Sequence, residues 1–282
     1  MKGPLIIGNG YVAHLFLQAL PGATLCYSKI YGLQQAQSII AKSAPSFLIN
    51  CAGITGRPNV DWCETHVPET FFGNVALPIM LATAAHEQGV HFTNIGSGCI
   101  YEGDNLGKGY SELDLPNFKG SAYSRSKALA EQALTEFSAL QIRLRMPLDH
   151  IPGSRNLLTK LISYAQTGNP IVSAPNSISY MPDFVQAVRQ LIHARVSGVY
   201  NVINPGAITH EFLLREYEVQ TNVHLNVRFI SPSELDTRTA ARRSNCVLST
   251  VKLEERIGKL PAITSRVPEI VKRYIEQERG TP

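Results

Sequence analysis

The chain has 282 residues, 44% hydrophobic and 17% charged, with 26 Lys and Arg against 22 Asp and Glu. That composition suits one large or two unequal globular domains and excludes a disordered or supercharged chain. The net charge of +4 is dispersed. No Lys/Arg run exceeds two, which sets aside a nucleic-acid or membrane-binding tail, and no apolar stretch approaches the roughly 18 residues of a membrane helix.

The first half alternates short apolar runs with longer amphipathic stretches. Strands are predicted over Leu5–Ile7, Thr24–Tyr27, Phe47–Cys51, His91–Ile95, Ile142–Arg145, Ile171–Ser173 and Val199–Val202. Helices are predicted over Tyr11–Leu20, Leu33–Ala41, Glu69–Gln88, Ala122–Leu140, Arg155–Gln166, Asp183–Arg195, His210–Val219 and Pro268–Glu278. Strands alternating with helices imply crossovers and a buried parallel sheet, an α/β doubly wound architecture of Rossmann type. From about Pro147 the pattern loosens into a smaller region that interleaves with the sheet. The five cysteines, Cys26, Cys51, Cys63, Cys99 and Cys246, are odd in number and form no CxxC pair. They argue against a disulfide framework or a metal site and for a reducing compartment. The N-terminus runs straight into a strand pattern without a cleavage signal, so a cytoplasmic location is expected.

The first strand runs into Gly8-Asn9-Gly10-Tyr11-Val12-Ala13 and then an apolar helix. In this G-x-G-x-x-A spacing the first Gly permits a tight turn and the second lets backbone approach a pyrophosphate. The small third residue lets helix pack on strand. The helix N-terminus adds free N–H groups and a positive dipole end. An NAD-selective site places a carboxylate after the second strand; here Cys26-Tyr27-Ser28-Lys29 has none, and Ser28 and Lys29 can receive a 2′-phosphate. The cofactor expected is NADPH, with NADH the alternative. Residues 1–150, with 170–205 contributing, are assigned to this NADP(H)-binding domain, and 151–169 and 206–282 to a substrate-binding region.

Tyr123-Ser124-Arg125-Ser126-Lys127 puts a phenol and an ammonium on one helix face. The cation stabilises the phenolate, so the pair can exchange a proton near neutral pH. Ser97 lies at the end of a predicted strand, where open α/β sheets place their ligands, and can bond a carbonyl oxygen. Cys99, two residues on, would share its face if the segment stayed extended.

A phosphate loop, then Ser97, then Tyr123 and Lys127, in this order, resembles the extended short-chain dehydrogenase/reductase superfamily. The resemblance implies these three as a reductase triad, with Lys127 also holding the nicotinamide ribose. Cys51, Ala52 and Gly53 end the third strand, where that fold lets backbone run past the cofactor. At closer range the string GITGRPNVDWCE (residues 53–64), Gly98–Glu102, YSRSK (123–127), RLRMP (143–147), RNLLTK (155–160), Asn204-Pro205-Gly206 and Arg243-Ser244-Asn245 are similar to the bifunctional nucleotide-4-keto-6-deoxyglucose 3,5-epimerase/4-reductases of rhamnose synthesis. More distantly the chain resembles dTDP-4-dehydrorhamnose reductase and GDP-fucose synthase. The closer resemblance implies an epimerase pair at Cys99 and Lys160. It also implies a nucleotide-4-keto-6-deoxyhexose substrate supplied by a separate 4,6-dehydratase, and a homodimer. Arg57, Asn74, Arg155, Asn156, Arg243 and Asn245 are candidates for sugar or diphosphate contacts, Arg57 and Asn156 foremost, because guanidinium matches phosphate geometry and their surrounding motifs match best.

Departures from the plant pattern are a first loop one residue shorter and ending in Ala13, Ser97 in place of Thr, and a shorter segment between Cys99 and Tyr123. The leading expectation is UDP-4-keto-6-deoxyglucose converted to UDP-β-L-rhamnose, with dTDP the next nucleotide. The alternatives are a monofunctional 4-dehydrorhamnose reductase with Cys99 inert, and a non-catalytic NADP-binding regulatory subunit.

Overall fold

A computed structural model describes residues 2–280. Strands β1 (Leu5–Ile7), β2 (Thr24–Cys26), β3 (Phe47–Asn50), β4 (His91–Ser97) and β5 (Leu140–Leu144) form one sheet with the strand Gly198–Asn201. The order is β2-β1-β3-β4-β5, then Gly198–Asn201. The pairs β1/β2, β1/β3 and β3/β4 are parallel; Leu5 stands opposite Thr24 and Leu48, and Asn50 opposite Asn94. Parallel neighbours require crossovers, and helices Tyr11–Ala19, Leu33–Ser43, Leu77–Glu87 and Ala122–Leu134 fall between successive strands. The expected doubly wound α/β sheet is therefore present. The chain steps outward from β1 to β2 and returns on the other side at β3. The strand order thus reverses between β1 and β3, the topological switch point at which such sheets bind ligands.

Two compact units divide the described chain: residues 2–100, 115–143 and 185–200 in the first, and 101–114, 144–184 and 201–280 in the second. The division departs from the boundary expected near residue 150 and gives two units of similar length. Residues 101–114 fall in the second unit because Gly103 bridges Cys246 and Tyr110 bridges Leu248. Periodicity does not report pairings so distant in sequence. The first unit has a core of Leu5, Ile7, Ile40, Leu48, Leu81, Phe92 and Leu134 with their neighbours. The second has its own, with Leu148, Leu158, Leu161, Leu213, Val267, Ile270 and Tyr274 among its members.

Three predicted elements are revised. The helix expected over Ala122–Leu140 ends at Leu134, because Leu140 and Ile142, both fully buried, belong to β5. The helix expected from Glu69 begins at Val67 and widens into a π-helical turn over Phe72–Ala76. Gly73 permits that turn to pack on Ile54, whose Cγ1 lies 2.6 Å from where a Cβ would stand. The C-terminal helix begins at Ile263, so Pro268 is internal rather than at its start.

Candidate active site

In the first unit the phosphate loop is built as the sequence implies. Gly8 has φ +113°, and a Cβ there would meet Ala52 N at 3.0 Å; only glycine combines that backbone with that contact. Gly10 caps the helix Tyr11–Ala19 without a side-chain acceptor, and the first turn carries no acid. The space a Gly10 Cβ would enter is open to 4 Å, and Ala13 is fully buried under the loop. A helix N-terminus without a side-chain cap or a first-turn acid, entered through a glycine with room beside it, suits a pyrophosphate. Asn9 Oδ1 accepts from His14 Nε2 at 2.7 Å, while Tyr11 and Val12 are half-buried. Ser28 and Lys29 are exposed beyond β2. Their loop is stapled by Gln35, which donates to Lys29 O at 2.8 Å and accepts from Tyr31 N at 3.0 Å.

The end of β3 is held by a buried amide pair. Asn50 Nδ2 donates to Asn94 Oδ1 at 2.8 Å, and its Oδ1 accepts from Ala52 N at 3.1 Å. Cys51 N donates to Ile7 O at 2.9 Å, and burial pushes its thiol far up. Gly53 then passes so close to Lys127 that a Cβ would stand 3.2 Å from Nζ and 3.0 Å from Asn74 Oδ1.

Tyr123 and Lys127 lie in the first turns of the helix Ala122–Leu134, whose N-cap Ser121 accepts from Ser124 N. Lys127 is 8% exposed, with Nζ 6.0 Å from the Tyr123 ring centroid. Burial pulls its pKa down to about 8, opposed by the charge of Cys99. Ser97 ends β4, is buried, and accepts from Cys99 N at 3.1 Å. Cys99 itself sits in a turn, which corrects the expectation that an extended segment aligns it with Ser97. The turn bond to Ser97 Oγ sets its place instead.

Asn74 does not stand as expected. It is fully buried in the π-helical turn, accepts from Ile54 N at 2.8 Å, and donates to Ile54 O and Ser126 Oγ at 2.9 and 3.0 Å. Its amide is spent on the scaffold, so direct ligand contact gives way to support of the Gly53–Ile54 loop. Arg57 is exposed.

The second unit holds the remaining candidates. Lys160 is half-buried on the helix Leu157–Gln166; burial first, then the charge of Arg155, lowers its pKa. That is not the behaviour of a solvated surface lysine. Asn156, one of the two foremost contact candidates, is corrected. It is 2% exposed and caps that helix, accepting from Leu158 N at 3.0 Å. Its Nδ2 donates to Asp149 O and Ile151 O at 2.7 and 2.8 Å. Both ends of the amide are consumed, and none is left for a sugar. Asn245 Oδ1 accepts from Asn176 Nδ2 at 3.0 Å, and its Nδ2 reaches Arg243 O at 3.2 Å. Buried Arg145 anchors the same stretch, Nη2 donating to Asn176 Oδ1 at 2.5 Å and Ser244 O at 2.6 Å.

Sequence reasoning assigned no role to Glu64, Asn50, Asn94, Arg145 or Asn176. Each works through a partner between 31 and 99 residues away, which no local pattern reports; the one available signal was the density of motifs around Glu64 and Arg145. Among the described residues no group of three His, Cys, Asp or Glu is placed to hold a metal, and no helix is long and apolar enough to cross a membrane.

A glycine phosphate loop at a switch point, with a serine at a strand end and a tyrosine–lysine pair on one helix face, is the arrangement expected of a nucleotide-dependent reductase. Comparison narrows this: the chain matches the RmlD substrate binding domain family over residues 25–276 and belongs to it. It is 34% identical over 289 residues to a bifunctional dTDP-4-dehydrorhamnose 3,5-epimerase/dTDP-4-dehydrorhamnose reductase of Arabidopsis thaliana, covering 98% of this chain and 94% of the plant protein. It is 34% identical, over 82% of its length, to a trifunctional UDP-glucose 4,6-dehydratase/UDP-4-keto-6-deoxy-D-glucose 3,5-epimerase/UDP-4-keto-L-rhamnose-reductase of the same plant, spanning only 34% of that larger protein. Its fold is similar to the crystal structure of the L780 UDP-rhamnose synthase from Acanthamoeba polyphaga mimivirus, with TM-score 0.89, 26% identity and coverage of 96% and 99% of the two chains. A dTDP-4-dehydrorhamnose reductase from Bacillus anthracis in complex with NADP shares the fold at TM-score 0.84 and 21% identity, covering 98% of this chain and 100% of that one.

Proposed function

We propose that this protein converts UDP-4-keto-6-deoxy-D-glucose to UDP-β-L-rhamnose, inverting C3 and C5 and then reducing C4. The observation that carries the reading is the buried Lys127 ammonium, set near the Tyr123 ring with its pKa drawn down to about 8. Burying an ammonium is costly, and its position suits a phenol that must exchange a proton near neutral pH. The relatives named for epimerase/reductase activity support the substrate class.

The C3 and C5 protons lie alpha to the ketone, so loss of either gives an enolate. The sequence resemblance assigns this exchange to Cys99 and Lys160, one removing a proton and the other returning one. Lys160, its pKa lowered first by burial and then by Arg155, gives up its proton more readily than a solvated lysine. For the reduction, Tyr123 gives its proton to the C4 oxygen, Ser97 donates a hydrogen bond to that oxygen, and Lys127 stabilises the resulting phenolate. NADPH, when bound, supplies the hydride that reaches C4; Gly8–Val12 would hold its pyrophosphate, Ser28 and Lys29 its 2′-phosphate, and Lys127 its ribose. Reduction comes last because it destroys the ketone on which both inversions depend.

Arg57, Arg155, Arg243 and Asn245 are the proposed substrate contacts, now without Asn74 and Asn156. A 4,6-dehydratase supplies the keto sugar, and the protein acts in the cytosol as a homodimer. The test is NMR of the product formed with NADPH in D2O. Deuterium at C3 and C5 in an L-rhamno product is the expected result. NADPH oxidation without deuterium at those carbons reduces the protein to a 4-reductase and leaves Cys99 without a role. Absence of turnover with both UDP and dTDP substrates refutes the reading.

A further inference from the structure

A second side chain, besides Asn74, joins the segment following β3 to the helix bearing Tyr123. Gly56, at φ +72°, closes a turn in which a Cβ would meet Asn59 O at 2.2 Å and Trp62 Cβ at 3.1 Å. Asn59 tightens it, its Oδ1 accepting from Asp61 N at 2.8 Å. The short helix Trp62–Thr65 follows and carries Glu64 to the start of the Tyr123 helix. There Glu64 Oε1 accepts from Ala122 N at 2.5 Å, while Oε2 lies 3.4 Å from Arg125 Nη2. Arg125 Nη1 in turn donates to Lys119 O at 3.0 Å.

A helix leaves its first N–H groups without intrahelical partners. Ser121 satisfies Ser124 N here, and Glu64 satisfies Ala122 N, the residue directly before Tyr123. A carboxylate at this end is also favoured by the helix dipole. A plain surface ion pair with Arg125 contributes little; the contact of consequence is the short bond to backbone, because it fixes the first turn from which the phenol projects. Glu64 also follows the turn that carries Arg57, its backbone N donating to Asp61 O at 3.1 Å, so its carboxylate anchors to the Tyr123 helix the chain that leaves that turn.

We propose that Glu64 is a positioning residue: through its bond to Ala122 N it sets the register of Tyr123 for proton transfer. This rests on the reading of Tyr123 as the proton donor. A displacement of about an ångström at a reacting group can cost on the order of a hundredfold in rate, and loosening one turn costs less.

The test measures NADPH oxidation with UDP-4-keto-6-deoxyglucose, normalised to folded enzyme by NADPH-binding titration, for Glu64→Ala, Glu64→Asp, Glu64→Gln and Tyr123→Phe. Glu64→Ala and Glu64→Asp, the latter keeping the charge but losing reach, are expected to lower kcat about tenfold while the KM for NADPH stays within about twofold. Glu64→Gln, whose amide oxygen still accepts from Ala122 N, is expected to recover to within about threefold of wild type. Wild-type kcat per folded enzyme in Glu64→Asp, or in Glu64→Ala where it folds, overturns the proposal, as does Glu64→Gln impaired as deeply as Glu64→Asp. An active Tyr123→Phe overturns the proton-donor reading and this inference with it, whereas an inactive Tyr123→Phe beside fully active Glu64 variants overturns the role of Glu64 alone.

Discussion

Asn156→Ala separates a ligand contact from a structural bolt. The substitution removes the cap on Leu158 N, worth about 1 kcal/mol, and two bonds donated to the carbonyls of Asp149 and Ile151. Each lost bond costs about 1 kcal/mol, more where the stranded carbonyl stays buried. The loss is therefore about 3 kcal/mol, or about 6–10 °C in Tm for a chain of this size. Thermal melts followed by circular dichroism read it directly, with Asn156→Asp as comparison: it keeps the acceptor for Leu158 N, loses both donated bonds and falls between wild type and Asn156→Ala. Turnover normalised to folded protein falls too, because the cap fixes the helix that carries Lys160. An unchanged Tm with a large rise in KM for the nucleotide sugar would refute this reasoning and return Asn156 to the binding surface.

Gly53→Ala places a methyl group 3.2 Å from Lys127 Nζ and 3.0 Å from Asn74 Oδ1; with the Asn74 amide held by three bonds, the ammonium is the group that gives, and kcat is expected to drop about tenfold in steady-state assays. Lys127 has a folded pKa of about 8, below its unfolded value, so its charged form is lost as pH rises through about 8. The basic limb of reductase activity in the free enzyme should fall there and move upward in Lys127→Arg. By the same linkage the unfolded chain binds more protons between pH 8 and about 10.4, and this group's contribution to stability increases across that window. His210, whose Nε2 is shielded from solvent without a hydrogen-bond partner, has its pKa lowered to about 4, first by burial and then by the charge of Arg145, against a raising bond to Val172 O. Between pH about 6.5 and 4 the unfolded chain therefore binds the proton that the folded chain refuses, and stability falls with pH. Acid melts of His210→Asn should lose less Tm across that window than wild type.

The alternating pattern of Leu5–Ile7, Phe47–Asn50 and the amphipathic stretches between them determined the doubly wound sheet, because a buried parallel strand and a helix carry different periods in the sequence. The glycines of the phosphate loop and the Tyr123/Lys127 spacing were legible for the same reason: their geometry is local, fixed within a turn or two of chain. Cys99 was legible as a residue type but not as a position, since the turn after Ser97 depends on a side-chain bond that overrides strand continuation. The fates of Asn74 and Asn156 were hidden because an asparagine's role depends on whether its amide is already engaged. Partners 20 residues from Asn74, on Ile54, and 7 residues from Asn156, on Asp149, decide that. The placing of 101–114 in the second unit, and the bond from Glu64 across 58 residues to the Tyr123 helix, came only with the tertiary structure. A hydrogen bond between residues far apart in sequence leaves no period to read, and only the folded backbone brings its donor and acceptor within reach.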